Sequence, residues 1–444
     1  MVVGIVIGSG IFFKAQDVLE ETLGNSTLGV LAWIIGGGVM IAVAATFSIM
    51  ATKYAKVNGV VDYAEATCGK GYAYYIGWFL SVVYYPAMTS VLAWVSARYT
   101  IVAVRGVDSL SAEAMFGSEC ITIAAFYLVL MFFINSIAPK LAGKLQVSTT
   151  LIKLVPIVFI ALVGTVIGLT NSTLAENFTA VEGSAATEAG LSELFAAVCC
   201  TAFAYEGWII ATSINAEIKD AKRNLPIALI VGTGIIVLAY VLYYVGVLGL
   251  ADTDTLMSKG TTEAFKYFGN TVATIINFLV IVSCLGTLNG LMLGCTRGIY
   301  SLAARGEGIS PDTFRQIDEK TNMPHNSAIF ALMLCGLWFA YFMGGQFFGW
   351  FGKYAFDSSE LPIITVYPMY IPIIIMFMKK ERDLSVARRF VIPILGIVGC
   401  CVMVAASIFR HHDTILYYLI VFVAVMALGA LFNYLNSKKE MELK

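Results

Sequence analysis

Two charged residues stand where the sequence is otherwise apolar. Lys153 lies in the run Val147 to Leu169, beside Leu154, Val155 and Pro156. Glu206 lies in Thr201-Ala202-Phe203-Ala204-Tyr205-Glu206-Gly207-Trp208, inside another apolar run. A charge at the centre of a bilayer costs at least ~2.5 kcal/mol even on insertion scales, so it marks a cavity or a bound partner by default. Lys153 therefore needs acceptors, unless it reaches the near interface along its methylenes. Glu206 lines a cavity, unless it simply meets water near the outer surface. A third feature is Gly8-Ser9-Gly10 within Gly4 to Phe12. Two glycines and a serine make a poor helix, and a broken helix frees backbone N–H and C=O groups. Inside a bilayer that is tolerated only where the backbone is packed in protein or lines a cavity. The apolar runs hold no paired acids and no Ser/His set. The three histidines, His325, His411 and His412, fall in expected loops. The nine cysteines have no metal-ligand spacing and read as small apolar packing residues. Enzyme chemistry, a metal site and a cofactor are not expected.

The elements that hold these residues follow from composition. The chain is 59% hydrophobic and 13% charged, with mean hydropathy +0.82. Soluble domains carry roughly 25% charged residues. The chain is therefore an all-α polytopic membrane protein. Apolar runs fall near 1–14, 28–51, 74–104, 120–138, 146–169, 191–213, 225–250, 270–303, 327–343, 361–378, 390–409 and 413–436, which predicts about twelve spans. With both termini inside, most of the 28 basic residues lie in inner loops. The outer side takes Lys14, Arg98, Arg105, Lys259, Lys266, Lys353 and Arg410. The net charge of −1 says nothing about partners, and no basic tract points to nucleic acid, so no nucleic-acid partner is expected.

The two broken runs are the first and the sixth. That is the relation expected of inverted repeats in secondary transporters, with 1–169 and 191–378 as the two five-helix units and 390–436 as two further helices. Such a pair presents a half-helix N-terminus to an anionic group and freed carbonyls to a cationic one. A ligand with both charges on one carbon is an α-amino acid. Paired broken helices also argue against a channel.

Several motifs together resemble the amino acid–polyamine–organocation superfamily in its L-type amino acid transporter branch. Among its members the chain is most similar to bacterial serine/threonine and small-neutral amino acid exchangers. The motifs are Val3 to Phe12, Gly59 to Tyr63, Ile152-Lys153-Leu154-Val155-Pro156, Phe203 to Trp208, Glu217 to Pro226, and Ser283 to Gly290. The resemblance implies a LeuT-like fold with discontinuous helices 1 and 6. It implies sodium-independent exchange of small neutral L-amino acids across the plasma membrane by alternating access. The alternative is proton-coupled symport, with Glu206 admitting cationic substrates.

By the same resemblance the substrate carboxylate binds Gly8, Ser9 and Gly10. The amino group binds carbonyls around Ile7, Phe203 and Ala204, and Phe203 closes over the substrate. Tyr240 lies near the carboxylate and Asn289 near the pocket. Lys153 takes the place of a sodium ion, bridging the break near Gly10 to Ser283. Glu206 departs from the glycine of many neutral-amino-acid members. Cys120 is near the place where eukaryotic members join a single-span glycoprotein, but its surroundings differ. The short termini look bacterial, so an inner-membrane monomer or weak oligomer among lipids, without that partner, is expected. Family members carry a longer segment before the Val3 motif. The eight residues from Met1 to Gly8 give ~12 Å of helix. Met1 is therefore expected to be internal to a longer product, the alternative being an impaired inner gate.

Overall fold

The computed structural model describes residues 2–8, 10–54, 59–106, 116–179, 185–209 and 220–442. All regular elements among them are helical. The chain begins with two short helices, α1 (Val2–Val6) and α2 (Gly10–Glu21). Then follow α3 (Ser26–Lys53), α4 (Val60–Cys68), α5 (Lys70–Arg105), α6 (Ser118–Ile137) and α7 (Pro139–Thr170). The second half holds α8 (Leu191–Ala204), α9 (Ala221–Leu248) and α10 (Asn270–Ala303). It continues with α11 (His325–Gln346), α12 (Leu361–Lys380), α13 (Ala387–His411) and α14 (Ile415–Glu442). Short helical turns join them.

Ten helices are long and apolar enough to cross a membrane, among the described residues. The expected count was twelve. The difference lies in the first and sixth runs, where breaks leave only shorter helices. The first run was placed at 1–14, yet α2 continues to Glu21. Its polar residues are carried inward because Lys14 and Asp17 pair across one turn, 2.8 Å apart. The sixth run was placed at 191–213, but α8 ends at Ala204 and residues 210–219 lie outside the described set, with the first part of the Glu217 to Pro226 motif.

Burial of the break follows from which helices surround it. α3 packs against α9 and α13, α10 against α5 and α7, and α8 against α2 and α13. Close approach depends on small residues, as membrane helices require in the absence of a hydrophobic drive between them. A Cβ on Gly164 of α7 would lie 2.2 Å from the Gly246 carbonyl oxygen of α9. α5 and α7 each contain one π-helical turn, Leu80–Tyr84 and Ile160–Gly164. Such turns add a residue, re-aim the side chains around them and frequently occur at functional sites. Cys120 is fully buried within α6.

Candidate functional site

α1 runs into a bend at Ile7 and Gly8, and α2 starts at Gly10. Ser9 lies outside the described residues. The glycines are fixed by contact. A Cβ on Gly10 would sit 2.4 Å from the Ala204 Cα at the end of α8. A Cβ on Gly8 would sit 2.2 Å from the Thr287 hydroxyl of α10. The two breaks therefore touch. The first amides of a helix and its last carbonyls lack partners within that helix. Here the amide end of α2 abuts the carbonyl end of α8, so donors and acceptors converge on one point. The dipole ends have matching signs, positive at α2 and negative at α8.

After Ala204 the chain leaves the helix through Tyr205, Glu206 and Gly207, the last at φ +104°. Only glycine adopts that conformation at low cost. It turns Glu206 inward, where it is buried and accepts a 2.5 Å hydrogen bond from the Tyr84 hydroxyl. Tyr84 comes from the π-helical turn of α5. Glu206, Gly8, Gly10, Phe203, Thr287 and Met88 share the wall of one small cavity of about 20 Å³. That is room for roughly one water molecule. An amino acid needs more space, so the arrangement is closed and its walls must part to load one.

A layer of aromatics and charges covers the cavity on the α2 side. Phe13 meets Phe203 and Trp94 edge to face, with ring centroids 5.8 and 5.6 Å apart. The Lys14 ammonium lies 5.8 Å from the Phe203 ring centroid and donates 2.6 Å to Glu360, at the start of α12. Glu360 is completely buried. It also accepts from Arg410 (2.7 Å), His411 (2.9 Å) and the Cys199 thiol (3.5 Å). Arg410 in turn pairs with Glu21 of α2. His411 was expected in a loop; it is the buried last residue of α13. Cys199, Glu360 and His411 present ligand atoms within 4.8 Å of one another. The Lys14 and Arg410 cations already neutralise that carboxylate and oppose a metal ion there.

Below the break, Lys153 is fully buried and holds α1. Its ammonium donates 2.5 Å to the Gly4 carbonyl and 2.9 Å to the Thr287 hydroxyl. Gln146 donates to the same Gly4 carbonyl at 3.2 Å. The expected partners were the break near Gly10 and Ser283. The lysine instead meets α1 one and a half turns earlier, and α10 one turn later, on the same face. The Ser283 hydroxyl is buried without a hydrogen-bond partner. Tyr240 reaches the break, but its hydroxyl donates to the Val6 carbonyl at 3.0 Å. Ile7 is fully buried beside it. Asn289 is spent elsewhere. Its amide donates to the Ala142 carbonyl (3.0 Å) and accepts from Asn135 (3.0 Å), tying α10 to α6 and α7.

The structure thus brings together Gly8, Gly10, Phe203, Ala204, Glu206 and Tyr240, with Lys153 as their brace. It leaves Asn289 and Ser283 outside. Sequence reasoning missed Tyr84, Thr287, Gly4, Lys14 and Glu360. Glu360 stands just before an apolar run and Lys14 four residues after Gly10, and that pairing of opposite charges at run ends was the available signal.

Comparison with known proteins shows the family and the fold. A family model described as amino acid permease matches residues 1–432. The serine/threonine exchanger SteT of Bacillus subtilis (strain 168) is 26% identical over 423 residues, which is 94% of this chain and 89% of that protein. The human b(0,+)-type amino acid transporter 1 is 24% identical over 441 residues, 98% and 85% of the two chains. The crystal structure of MhsT in complex with L-phenylalanine, at 13% identity, matches the fold with a TM-score of 0.62 over 92% of this chain and 97% of that one. These relatives are transporters rather than enzymes, and the chain belongs to the amino acid permease family.

Proposed function

We propose that the protein exchanges small neutral L-amino acids across a bacterial inner membrane by alternating access, without sodium. The observation that carries this reading is the meeting of the α2 amide end with the α8 carbonyl end at Gly10 and Ala204. The amides from Gly8 to Gly10, with Ser9 between them, take the carboxylate. The carbonyls around Ile7, Phe203 and Ala204 take the ammonium, and Phe203 closes above. Lys153 supplies a fixed positive charge beneath the break, where a coupling cation would otherwise bind. The likeness to SteT, itself a serine/threonine exchanger, supports exchange and small hydroxylated or neutral side chains. The break positions support two inverted units, 1–169 and 191–378, with 390–436 outside them. The distribution of basic residues supports both termini in the cytoplasm.

A second reading rests on Glu206, whose carboxylate lines the cavity. It is proton-coupled symport, with admission of a cationic side chain. The test is uptake of labelled serine into proteoliposomes. Exchange predicts strong uptake only into vesicles preloaded with amino acid, unchanged when sodium is removed. Strong uptake into empty vesicles driven by a proton gradient overturns exchange, and a sodium requirement overturns the role given to Lys153.

A further inference from the structure

Between α11 and α14 the bundle is open on its side. α14 is held to α5 by two bonds, from the Tyr74 hydroxyl to the Gly429 carbonyl (2.7 Å) and from the Trp78 indole to the Val425 carbonyl (2.9 Å). Beside these contacts lies a cavity of about 620 Å³, with Val82 of α5, Leu337 and Trp338 of α11, Phe356, and Ile420 and Val425 of α14 in its wall. The polar atoms of Trp338 and Tyr341 in the lining are used internally. Trp338 donates to the Val82 carbonyl at 2.9 Å, and the Tyr341 hydroxyl pairs with both backbone groups of Phe356, at 2.9 and 3.1 Å. What faces the cavity is hydrocarbon and ring faces.

This is a groove open on the side of the bundle, not an enclosed void. An apolar cavity offers water no partners. Leu337 and Ile420 are 66% and 60% exposed on two helices that cross the membrane, so the cavity opens where lipid tails lie. One end carries charge. Tyr354 lines the cavity, and the ammonium of the exposed Lys353 lies 5.5 Å from its ring centroid. Among the described residues no ion pair engages Lys353.

We propose that the groove between α11 and α14 is a lipid site that takes one acyl chain of an anionic phospholipid, with the phosphate on Lys353. The lining suits a chain, and the single cation at the end suits an anionic headgroup. A long-chain tail is also the apolar solute present at that face in every membrane. Native occupancy completes the packing that α14, which buries little of itself, does not achieve alone.

The protein is reconstituted in nanodiscs of phosphatidylcholine containing phosphatidylglycerol brominated on its acyl chains. Tryptophan quenching is read as the difference between the full chain and Trp338→Phe, since five other tryptophans contribute a common background. Retained lipid is weighed by native mass spectrometry. The expected result is a quenched Trp338 signal and one retained phosphatidylglycerol. Leu334 of α11 and Val421 of α14 also line the groove, and both signals are lost in the groove-filling pair Leu334→Phe with Val421→Phe. That pair keeps amino acid exchange, because neither residue touches the transport cavity. Lys353→Gln shifts the retained lipid from phosphatidylglycerol to phosphatidylcholine. An unquenched Trp338 signal, or retention unchanged by filling, overturns the site. A dimer that the filling pair dissociates overturns it in favour of a second copy as occupant. Lipid retention indifferent to Lys353→Gln overturns the headgroup assignment. If the filling pair does not fold, the Trp338→Phe difference still decides whether a chain lies in the groove.

Discussion

Lys153→Met removes the ammonium and keeps most of its volume. The two bonds lost are to the Gly4 carbonyl and the Thr287 hydroxyl. A hydrogen bond to a charged group contributes about 1.5–3 kcal/mol. Neither group is left without a partner, because Gly4 keeps Gln146 and the Thr287 hydroxyl already donates to the Ser283 carbonyl at 3.4 Å. The net loss in docking α1 onto α7 and α10 is therefore close to one such bond, about 2 kcal/mol. If α1 must dock for each transport cycle, that is ~30-fold in the population of the competent state. Global stability behaves differently. Removing a buried charge recovers a desolvation cost of ~2.5–3.5 kcal/mol on insertion scales. The melting temperature is thus expected to hold or rise while exchange collapses. The assay is initial exchange rate in proteoliposomes, normalised to reconstituted protein, together with thermal unfolding of the same preparation. Exchange within roughly a factor of two of the parent, or ~0.4 kcal/mol, would refute the brace. Loss of exchange accompanied by a fall in melting temperature would reduce Lys153 to a folding residue.

Gly10→Ala is expected to abolish exchange, since the added methyl meets the backbone of Ala204, which cannot rotate away, and overpacking costs ~1–3 kcal/mol; full activity would separate the two breaks. Glu206→Gln keeps an acceptor for Tyr84 but removes the charge, so a competition profile across amino acids should move away from cationic side chains; an unchanged profile returns Glu206 to a structural role. Tyr84→Phe strips Glu206 of a charge-assisted bond worth ~1.5–3 kcal/mol and should alter the profile in the same assay without moving the fold. On the outer side, Glu360→Gln removes the buried carboxylate and leaves Lys14 with Asp17 and Arg410 with Glu21, so it should cost ~1.5–3 kcal/mol in thermal stability. Lys14→Met leaves Glu360 with Arg410 and His411 and should cost less; the reverse order would contradict the assignment of Glu360 as the hub.

The breaks were legible because glycine and charge inside an apolar run violate the local pattern, and a violation needs a cause. Gly8, Gly10, Lys153 and Glu206 each stood out that way. The partners were not legible. Which turn of α10 faces Lys153 depends on helix rotation, so Thr287 and Ser283, four residues apart, were indistinguishable in sequence. Tyr84 is one of 22 tyrosines, and only the π-helical turn at Leu80–Tyr84 aims it at Glu206. Helical periodicity carries no mark of an extra residue. Besides a neutral thiol from α8, the cluster at Glu360 draws on charges from α2, α12 and α13, each near the end of a run. Taken singly, every one of them reads as an interface residue meeting water. Asn289 is the opposite case. A buried amide on a site-lining helix looks functional, but its hydrogen bonds were needed between helices.

The most direct test is an experimental structure with a bound amino acid. The account predicts density for the carboxylate against the Gly8–Gly10 backbone, the ammonium at the α8 end beside Phe203 and Ala204, and the side chain toward Glu206. An amino acid bound with its carboxylate on Lys153, or away from the two breaks altogether, would contradict it.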